Sequence, residues 1–255
     1  MRRQRRLGQH YLVDEATISR IVEVAAIQTT EKVIEIGTGR GALTRLLVGL
    51  TDNLQGYEVD RLNYLELAKE LGHNPHLALH NSDAFESTSG FDVLVSSLPY
   101  SESSTLIDWL SQRTYQRAVL VLQEDFARKL VARPGEQAYR AVSVIAQVCS
   151  QIDIVSTVNK LSFDPPPRVN SCIVTMKHLR SLRSAQVGVI KRLFSQKRRK
   201  LRAALKTLGL ELPSPYTTDA RVNMLRPEEV LMIATHATDA GEERPRRVPS
   251  RTRSS

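Results

Sequence analysis

Residues 32–41 read KVIEIGTGRG and decide the fold. The first five residues include three β-branched apolar side chains and predict a buried strand. Three glycines then alternate over the next five residues. Glycine allows a tight turn and lets a ligand approach the backbone where a side chain would collide. A helical spacing of apolar side chains follows at Leu43, Leu46, Leu47 and Leu50. A glycine loop alone is weak evidence, but one between a strand and a helix favours a nucleotide site.

Strand and helix patterns alternate on both sides of this unit. An amphipathic helix is predicted over residues 13–27, with Asp14 as its N-cap. Further strands are predicted at 54–59, 77–80, 91–95, 118–122, 152–158 and 171–176. Such alternation predicts an α/β fold with an open, mostly parallel, Rossmann-like sheet and helices on both faces.

The strand signal stops after about residue 178, and basic helix-forming residues follow. We therefore predict a main domain of residues 1–178 and a small helical domain of residues 179–240. The last fifteen residues, 241–255, predict a basic disordered tail.

Composition excludes several classes of protein. The chain has 255 residues, 41% hydrophobic and 25% charged, which is typical of a soluble protein, and no apolar run is long enough to span a bilayer. The basic N-terminus leads into no apolar segment, so we expect neither a secretion signal nor an organellar presequence. Cys149 and Cys172 have no CxxC spacing, which favours neither a disulfide framework nor a zinc site. We expect a cytoplasmic protein that uses no metal and does not bind a membrane.

Positive charge is concentrated in three places. The net charge is +9, and residues 1–10 carry four arginines and no acid. Residues 195–206 carry six basic residues and no acid, and are predicted to form a basic helix. The tail carries five arginines and two glutamates. Such patches suit a protein that binds a polyanion, although each patch alone could be a solvated face.

Four successive strand ends carry polar groups that suit an adenosine ligand. In an open parallel sheet, ligands bind beyond the carboxyl ends of the strands. The glycine loop forms the first end, and Glu58 at the second can accept both ribose hydroxyls. Asp83 at the third can accept from an adenine amino group. The fourth reads Ser97-Leu98-Pro99-Tyr100.

This order resembles S-adenosylmethionine-dependent amino-methyltransferases, and more closely the KsgA-type rRNA adenine N6-dimethyltransferases. Other motifs of that family are matched in order over roughly residues 5–233. They lie at Leu7–Leu12 (LGQHYL), Gln123–Arg128 (QEDFAR), Phe163–Ser171 (FDPPPRVNS), Phe194–Lys200 (FSQKRRK) and Arg226–Leu231 (RPEEVL).

The resemblance implies a site and a function. The cofactor S-adenosyl-L-methionine would contact His10, Leu12, Gly37, Glu58, Asp83 and Ser97. The catalytic set would be Ser97, Leu98, Pro99, Tyr100 and Phe163, with the two aromatic rings covering the faces of the target adenine. Phosphates of small-subunit rRNA in a pre-30S particle would bind Lys197, Arg198, Arg199, Lys200 and Arg202 on the helical domain of a monomeric enzyme.

Two residues depart from the family pattern. His10 stands in place of an asparagine near the methionine end of the cofactor, and Ser97 in place of the asparagine of N-L-P-Y. Because serine reaches less far than asparagine, a second reading is an rRNA-binding assembly factor with weak or no methylation. A third is an Erm-type enzyme that acts on large-subunit rRNA. A nicotinamide dehydrogenase shares the glycine loop and Glu58, but it leaves the SLPY and FDPPPRV motifs unexplained.

Overall fold

The computed structural model describes residues 9–212, 216 and 218–242. The strands are β1 (Tyr11–Leu12), β2 (Lys32–Ile36), β3 (Asn53–Tyr57), β4 (Leu77–His80), β5 (Val93–Ser96), β6 (Arg117–Gln123), β7 (Ser150–Val158), β8 (Phe163–Asp164) and β9 (Ser171–His178). The helices are α1 (Glu15–Ala25), α2 (Thr44–Leu47), α3 (Arg61–Leu71), α4 (Ser103–Leu110), α5 (Glu124–Leu130), α6 (Ala141–Cys149), α7 (Ser184–Ser195), α8 (Leu201–Leu208) and α9 (Pro227–Glu242). Asp14 caps α1 as predicted, since its side chain accepts from the Thr17 N–H.

Within the described residues, the main sheet has seven strands in the order β4-β3-β2-β5-β6-β9-β7. The strands from β4 to β6 run parallel, and β9 pairs antiparallel with both β6 and β7. The chain moves outward from β2 to β4 and then returns to β5 on the other side of β2. The carboxyl ends of β2 and β5 therefore flank the point where the strand order reverses, where open α/β sheets bind ligands.

A second, two-stranded sheet lies beside the first. It pairs β1 with β8 antiparallel, and Leu12 is opposite Phe163. The Val13 N–H donates to the Ser162 carbonyl at 2.9 Å, which extends this pairing. The pairing holds Tyr11 and Leu12 against the segment that leads into the proline loop.

The prediction of one continuous basic helix over residues 195–206 is wrong. Helix α7 ends at Ser195, and α8 begins at Leu201. The residues between them, QKRRK, carry no apolar side chain that could be buried along a helix. Their backbone instead pairs with residues 220–223, with N–H donation from Val222 to the Arg199 carbonyl at 3.1 Å.

The C-terminal helices share an apolar core with the sheet. One buried cluster contains side chains of β5, β6 and β9, then of α6, and then of α7, α8 and α9. Tyr139, which is fully buried, donates its hydroxyl to the Leu225 carbonyl at 2.9 Å and packs edge-on against Phe194. The apolar core is thus continuous across residue 178, where we predicted a domain boundary. Along the described part of the chain, no helix has the length and apolar character to cross a membrane.

Candidate active site

A cleft of about 330 Å³ opens at the carboxyl ends of β2, β3 and β5. The loops that follow these strands and β4 form its walls, and residues 9–12 close one side. The six predicted cofactor residues all line it, namely His10, Leu12, Gly37, Glu58, Asp83 and Ser97. Leu98 and Pro99 line it as well. The fold therefore brings the first three residues of the SLPY loop into the same cleft as the predicted adenosine-binding acids.

The glycine loop forms the floor of the cleft. Gly37 has φ +79°, and a Cβ atom there would lie 2.7 Å from Leu98 Cδ2. Its N–H donates to the Tyr57 carbonyl at 2.9 Å, which ties the loop to the end of β3. The positive φ requires glycine at this position, and a larger side chain would also displace the end of the Leu98 side chain.

Glu58 is 4% exposed and held by backbone donors. One carboxylate oxygen accepts from the Gly39 N–H and the other from the Asp60 N–H, both at 2.7 Å. Burial raises the pKa of Glu58 above its ordinary value, while these backbone donors oppose the rise. Since each oxygen has a second lone pair, the fixed carboxylate can still accept two hydroxyl groups of a ribose.

Asp83 is positioned by the turn that follows β4. Its Oδ1 accepts from the Phe85 N–H at 2.8 Å, so the side chain caps the turn Ala84–Glu86. The second carboxylate oxygen is left for a donor in the cleft. An adenine amino group is such a donor.

Glu35 and Thr38 are site residues that the sequence reasoning did not single out. Both are buried and line the cleft, and Glu35 Oε2 and Thr38 Oγ1 have no hydrogen-bond partner among the described residues. Burial raises the pKa of Glu35 to about 7, and the charge of nearby Glu58 adds to the rise. The sequence signal that could have identified Glu35 is an acidic residue within the otherwise apolar strand KVIEI. These orphaned acceptors fit a ligand with donors or positive charge.

Tyr100 lies at the edge of this site, in the turn Tyr100–Glu102. Its hydroxyl forms a 2.6 Å hydrogen bond with the Ser171 hydroxyl, and its ring stacks with His10 at 5.7 Å between centroids. His10 in turn donates from Nδ1 to the Pro165 carbonyl at 2.7 Å. Burial raises the pKa of Tyr100, so its hydroxyl stays neutral at physiological pH.

The structure does not bring Phe163 to the cleft. The side chain is 4% exposed and packs in the apolar cluster that contains Leu12, Val95 and Ile173. The pairing of β8 with β1 fixes it there. Its role as a cover for the target base stays a prediction.

The predicted RNA-binding residues lie outside the cleft. Lys197 to Lys200 form the turn between α7 and α8, and Arg202 lies on α8. Burial and the positive charges of Arg140 and Arg198 lower the pKa of Lys197. The basic loop that contains Arg140 therefore lies near this turn, which the sequence did not indicate.

Comparison with known proteins gives consistent findings. The model of a family described as ribosomal RNA adenine dimethylase matches residues 1–238. A probable ribosomal RNA small subunit methyltransferase A of Methanothermobacter thermautotrophicus is 32% identical, over 94% of this chain and 92% of the relative.

Two solved structures support the same fold. A dimethyladenosine transferase from Plasmodium falciparum has a TM-score of 0.76 and 24% identity, covering 91% of this chain and 98% of the other. The 23S rRNA methyltransferase ErmE has a TM-score of 0.66 and 25% identity, covering 89% and 99%. The predicted α/β methyltransferase fold is confirmed.

Proposed function

Because the chain belongs to the ribosomal RNA adenine dimethylase family, we propose that it dimethylates N6 of adjacent adenosines in a hairpin loop near the 3′ end of small-subunit (16S) rRNA. Family membership makes it an S-adenosylmethionine-dependent rRNA adenine dimethyltransferase, so the predicted enzyme class and cofactor are confirmed. The relative named as a small-subunit methyltransferase supports the choice of rRNA. We further propose that the enzyme acts as a monomer on a pre-30S particle, as a step of small-subunit biogenesis.

One observation carries the proposal. Ser97, Leu98 and Pro99 open into the same cleft as Glu58 and Asp83. Glu58 would hold the ribose of an adenosine and Asp83 its adenine. The SLPY loop would then face the group that is attached to the other end of the ribose. A cofactor held in this way presents its reactive group to the SLPY loop.

The residues of the cleft fit S-adenosylmethionine. Gly37 keeps the floor open, Glu58 retains lone pairs for the ribose, and Asp83 has a free oxygen for the adenine amine. The unpartnered Glu35 oxygen provides a further polar group for the ligand at the floor of the cleft. When bound, the cofactor supplies a methyl group on a sulfonium, which is a good leaving group.

The protein's own residues would supply positioning and electrostatics. An exocyclic adenine amine is a poor nucleophile because its lone pair is delocalised into the ring. Ser97 Oγ and the Leu98 carbonyl would accept hydrogen bonds from its two N–H groups, which directs the lone pair toward the methyl group and favours a pyramidal nitrogen. Tyr100 would stack on the base, a contact worth roughly 1–3 kcal/mol. The target adenosine must therefore be unpaired or flipped out, as in an RNA loop.

Two other functions remain as alternatives, and the experiment described below distinguishes them from the proposal. The likeness to ErmE favours a large-subunit target as the second candidate. Ser97 in place of asparagine favours an assembly factor that binds rRNA and methylates weakly or not at all. All three would bind the cofactor, so cofactor binding does not separate them.

The test is single-turnover methylation with labelled cofactor on unmethylated small and large subunits. The rRNA is then digested, and mono- and dimethyladenosine are separated. Methylation of small subunits alone supports the proposal, and methylation of large subunits alone supports the Erm-type reading. If neither is methylated where a known family member is active, the assembly-factor reading replaces the enzymatic one.

Ser97→Ala should lower the rate of the first methylation roughly tenfold, because one transition-state hydrogen bond of about 1–2 kcal/mol is lost. Its cofactor affinity should change little, since Ser97 acts mainly on the incoming amine. Ser97→Asn should keep or raise the rate. Wild-type rates in Ser97→Ala would remove this loop from the mechanism.

A further inference from the structure

The side chain of Tyr100 is held by two contacts, one at its hydroxyl and one along the face of its ring. The hydroxyl bonds to Ser171 at 2.6 Å, and the ring lies against the ring of His10 with 30° between their planes. It directly follows the three SLPY residues that line the cleft. A side chain held at its tip and along its face has little freedom to change rotamer.

Ser171 is a rigid anchor for the hydroxyl. It is fully buried and is the first residue of β9. On one side its backbone is opposite Gln123 of β6, and on the other it is opposite Val158 of β7. Because β9 is hydrogen-bonded to strands on both sides, Ser171 cannot shift without disturbing two ladders.

His10 connects the cofactor wall to the same ring. A carbonyl can only accept, so the 2.7 Å contact with Pro165 O places a hydrogen on Nδ1 and sets the ring plane. His10 also lines the cleft. An asparagine here, the residue of the resembling family, could donate to the same carbonyl but offers no ring to stack on Tyr100.

We propose that Ser171 and His10 are positioning residues that hold Tyr100 in the orientation in which the target adenine stacks on it. The proposal rests on the proposed function, since it requires a base to be methylated in this cleft. Ser171 acts only through Tyr100. A stacking ring that is already fixed does not have to be ordered when the base arrives, so the amine reaches the methyl group in a narrower range of poses.

The chain contains a matched control for the Ser171 bond. Tyr115 and Ser150 form the same kind of hydroxyl pair at 2.7 Å, both are buried, and neither lines the cleft. Ser150→Ala therefore removes the same kind of hydroxyl–hydroxyl hydrogen bond, but away from the reaction.

The experiment measures single-turnover methylation of small subunits at saturating cofactor, together with thermal unfolding of each variant. We expect Ser171→Ala to reduce the rate about fivefold to tenfold, as for loss of one hydrogen bond. Tyr100→Phe should give a similar loss, and the double variant should be no slower than either single one. Ser150→Ala should lower the melting temperature and leave the methylation rate unchanged.

A further variant separates the ring of His10 from its hydrogen bond. His10→Asn should bind S-adenosylhomocysteine as tightly as wild type by calorimetry, while its methylation rate falls about threefold. The subunit concentration for half-maximal rate should change less than the rate itself, because the defect lies in orientation.

Two results would overturn the positioning role while leaving the proposed function intact. One is a double variant whose loss of rate equals the product of the two single losses. The other is an equal loss of activity in Ser150→Ala and Ser171→Ala. Wild-type rates in both Ser171→Ala and His10→Asn would also overturn it. A wild-type protein that methylates neither subunit overturns the proposed function, and this inference with it.

Discussion

Glu58 is the side chain on which cofactor affinity should depend most. Its carboxylate is fixed by two backbone donors and would accept from the ribose hydroxyls. Glu58→Ala should weaken binding of S-adenosylmethionine by roughly 1.5–3 kcal/mol, the range for a hydrogen bond to a charged group. Calorimetry on the folded variant measures this. Glu66→Ala on α3 removes an exposed carboxylate away from the cleft and should bind normally. Unchanged affinity in Glu58→Ala would contradict the site.

Glu35 should make stability depend on pH. Its pKa is raised to about 7 from 4.5, so between these values the folded protein holds a proton that the unfolded chain releases. Rising pH across this window therefore favours unfolding, and the stability that Glu35 contributes in its protonated form is lost above about pH 7. Glu35→Gln should match wild type near pH 4.5 and exceed it by about 3 kcal/mol near pH 8.

Denaturant unfolding at several pH values measures this difference. Glu31→Gln provides the opposite control, because hydrogen bonds from Arg117 lower the pKa of Glu31. A lowered carboxyl pKa stabilises the protein above that pKa, so this variant should be less stable than wild type near neutral pH. A pH-independent difference between Glu35→Gln and wild type would contradict the buried, protonated state.

The turn between α7 and α8 should contribute most of the salt-dependent binding to rRNA. Within the described residues, Lys197 and Arg198 have no ion pair. Changing Lys197, Arg198 and Arg199 to Gln should flatten the log–log slope of affinity against salt by about 0.7–0.9 for each lost phosphate contact. The control variant changes Arg20, Arg45 and Arg128 to Gln, which removes the same number of positive charges. These three arginines form ion pairs with acidic side chains. Equal slopes in the two triple variants would identify the turn as a solvated surface.

The elements that the sequence predicted well are those set by local patterns. The strand Leu77–His80 has the predicted bounds, because an apolar run between turn residues is enough to define it. The Glu58 and Asp83 positions were also predictable, since parallel strands end at one edge of the sheet. What failed depends on distant pairing. The turn at 196–200 exists because residues 220–223 supply its backbone partners.

The hydrogen bond between Tyr100 and Ser171 is a further feature that local sequence patterns do not predict. Both residues lie in recognisable motifs, but the two motifs meet only because β9 inserts between β6 and β7. The antiparallel insertion places the first residue of β9 at the same edge as the carboxyl end of β6. Strand order, which no periodicity encodes, is what assembles this part of the site.

The continuous core makes a prediction about the whole molecule. Since buried side chains of the sheet, α6 and the C-terminal helices form one cluster, unfolding should be a single cooperative transition. Trp109, the only tryptophan, lies on α4 and reports on the sheet half, whereas far-UV circular dichroism reports on all helices. Ile233→Ala on α9 removes a fully buried side chain and should cost about 2–5 kcal/mol.

In one cooperative unit, Ile233→Ala must shift the Trp109 fluorescence midpoint by as much as the dichroism midpoint. Ile21→Ala on α1, equally buried but in the other apolar cluster, should do the same. If residues 179–240 instead fold as a separate domain, Ile233→Ala will melt part of the helical signal early and leave the Trp109 transition in place. Overlap of the two curves in both variants would mean that the sheet and residues 179–240 unfold as one cooperative unit, because two probes of different parts then report the same transition.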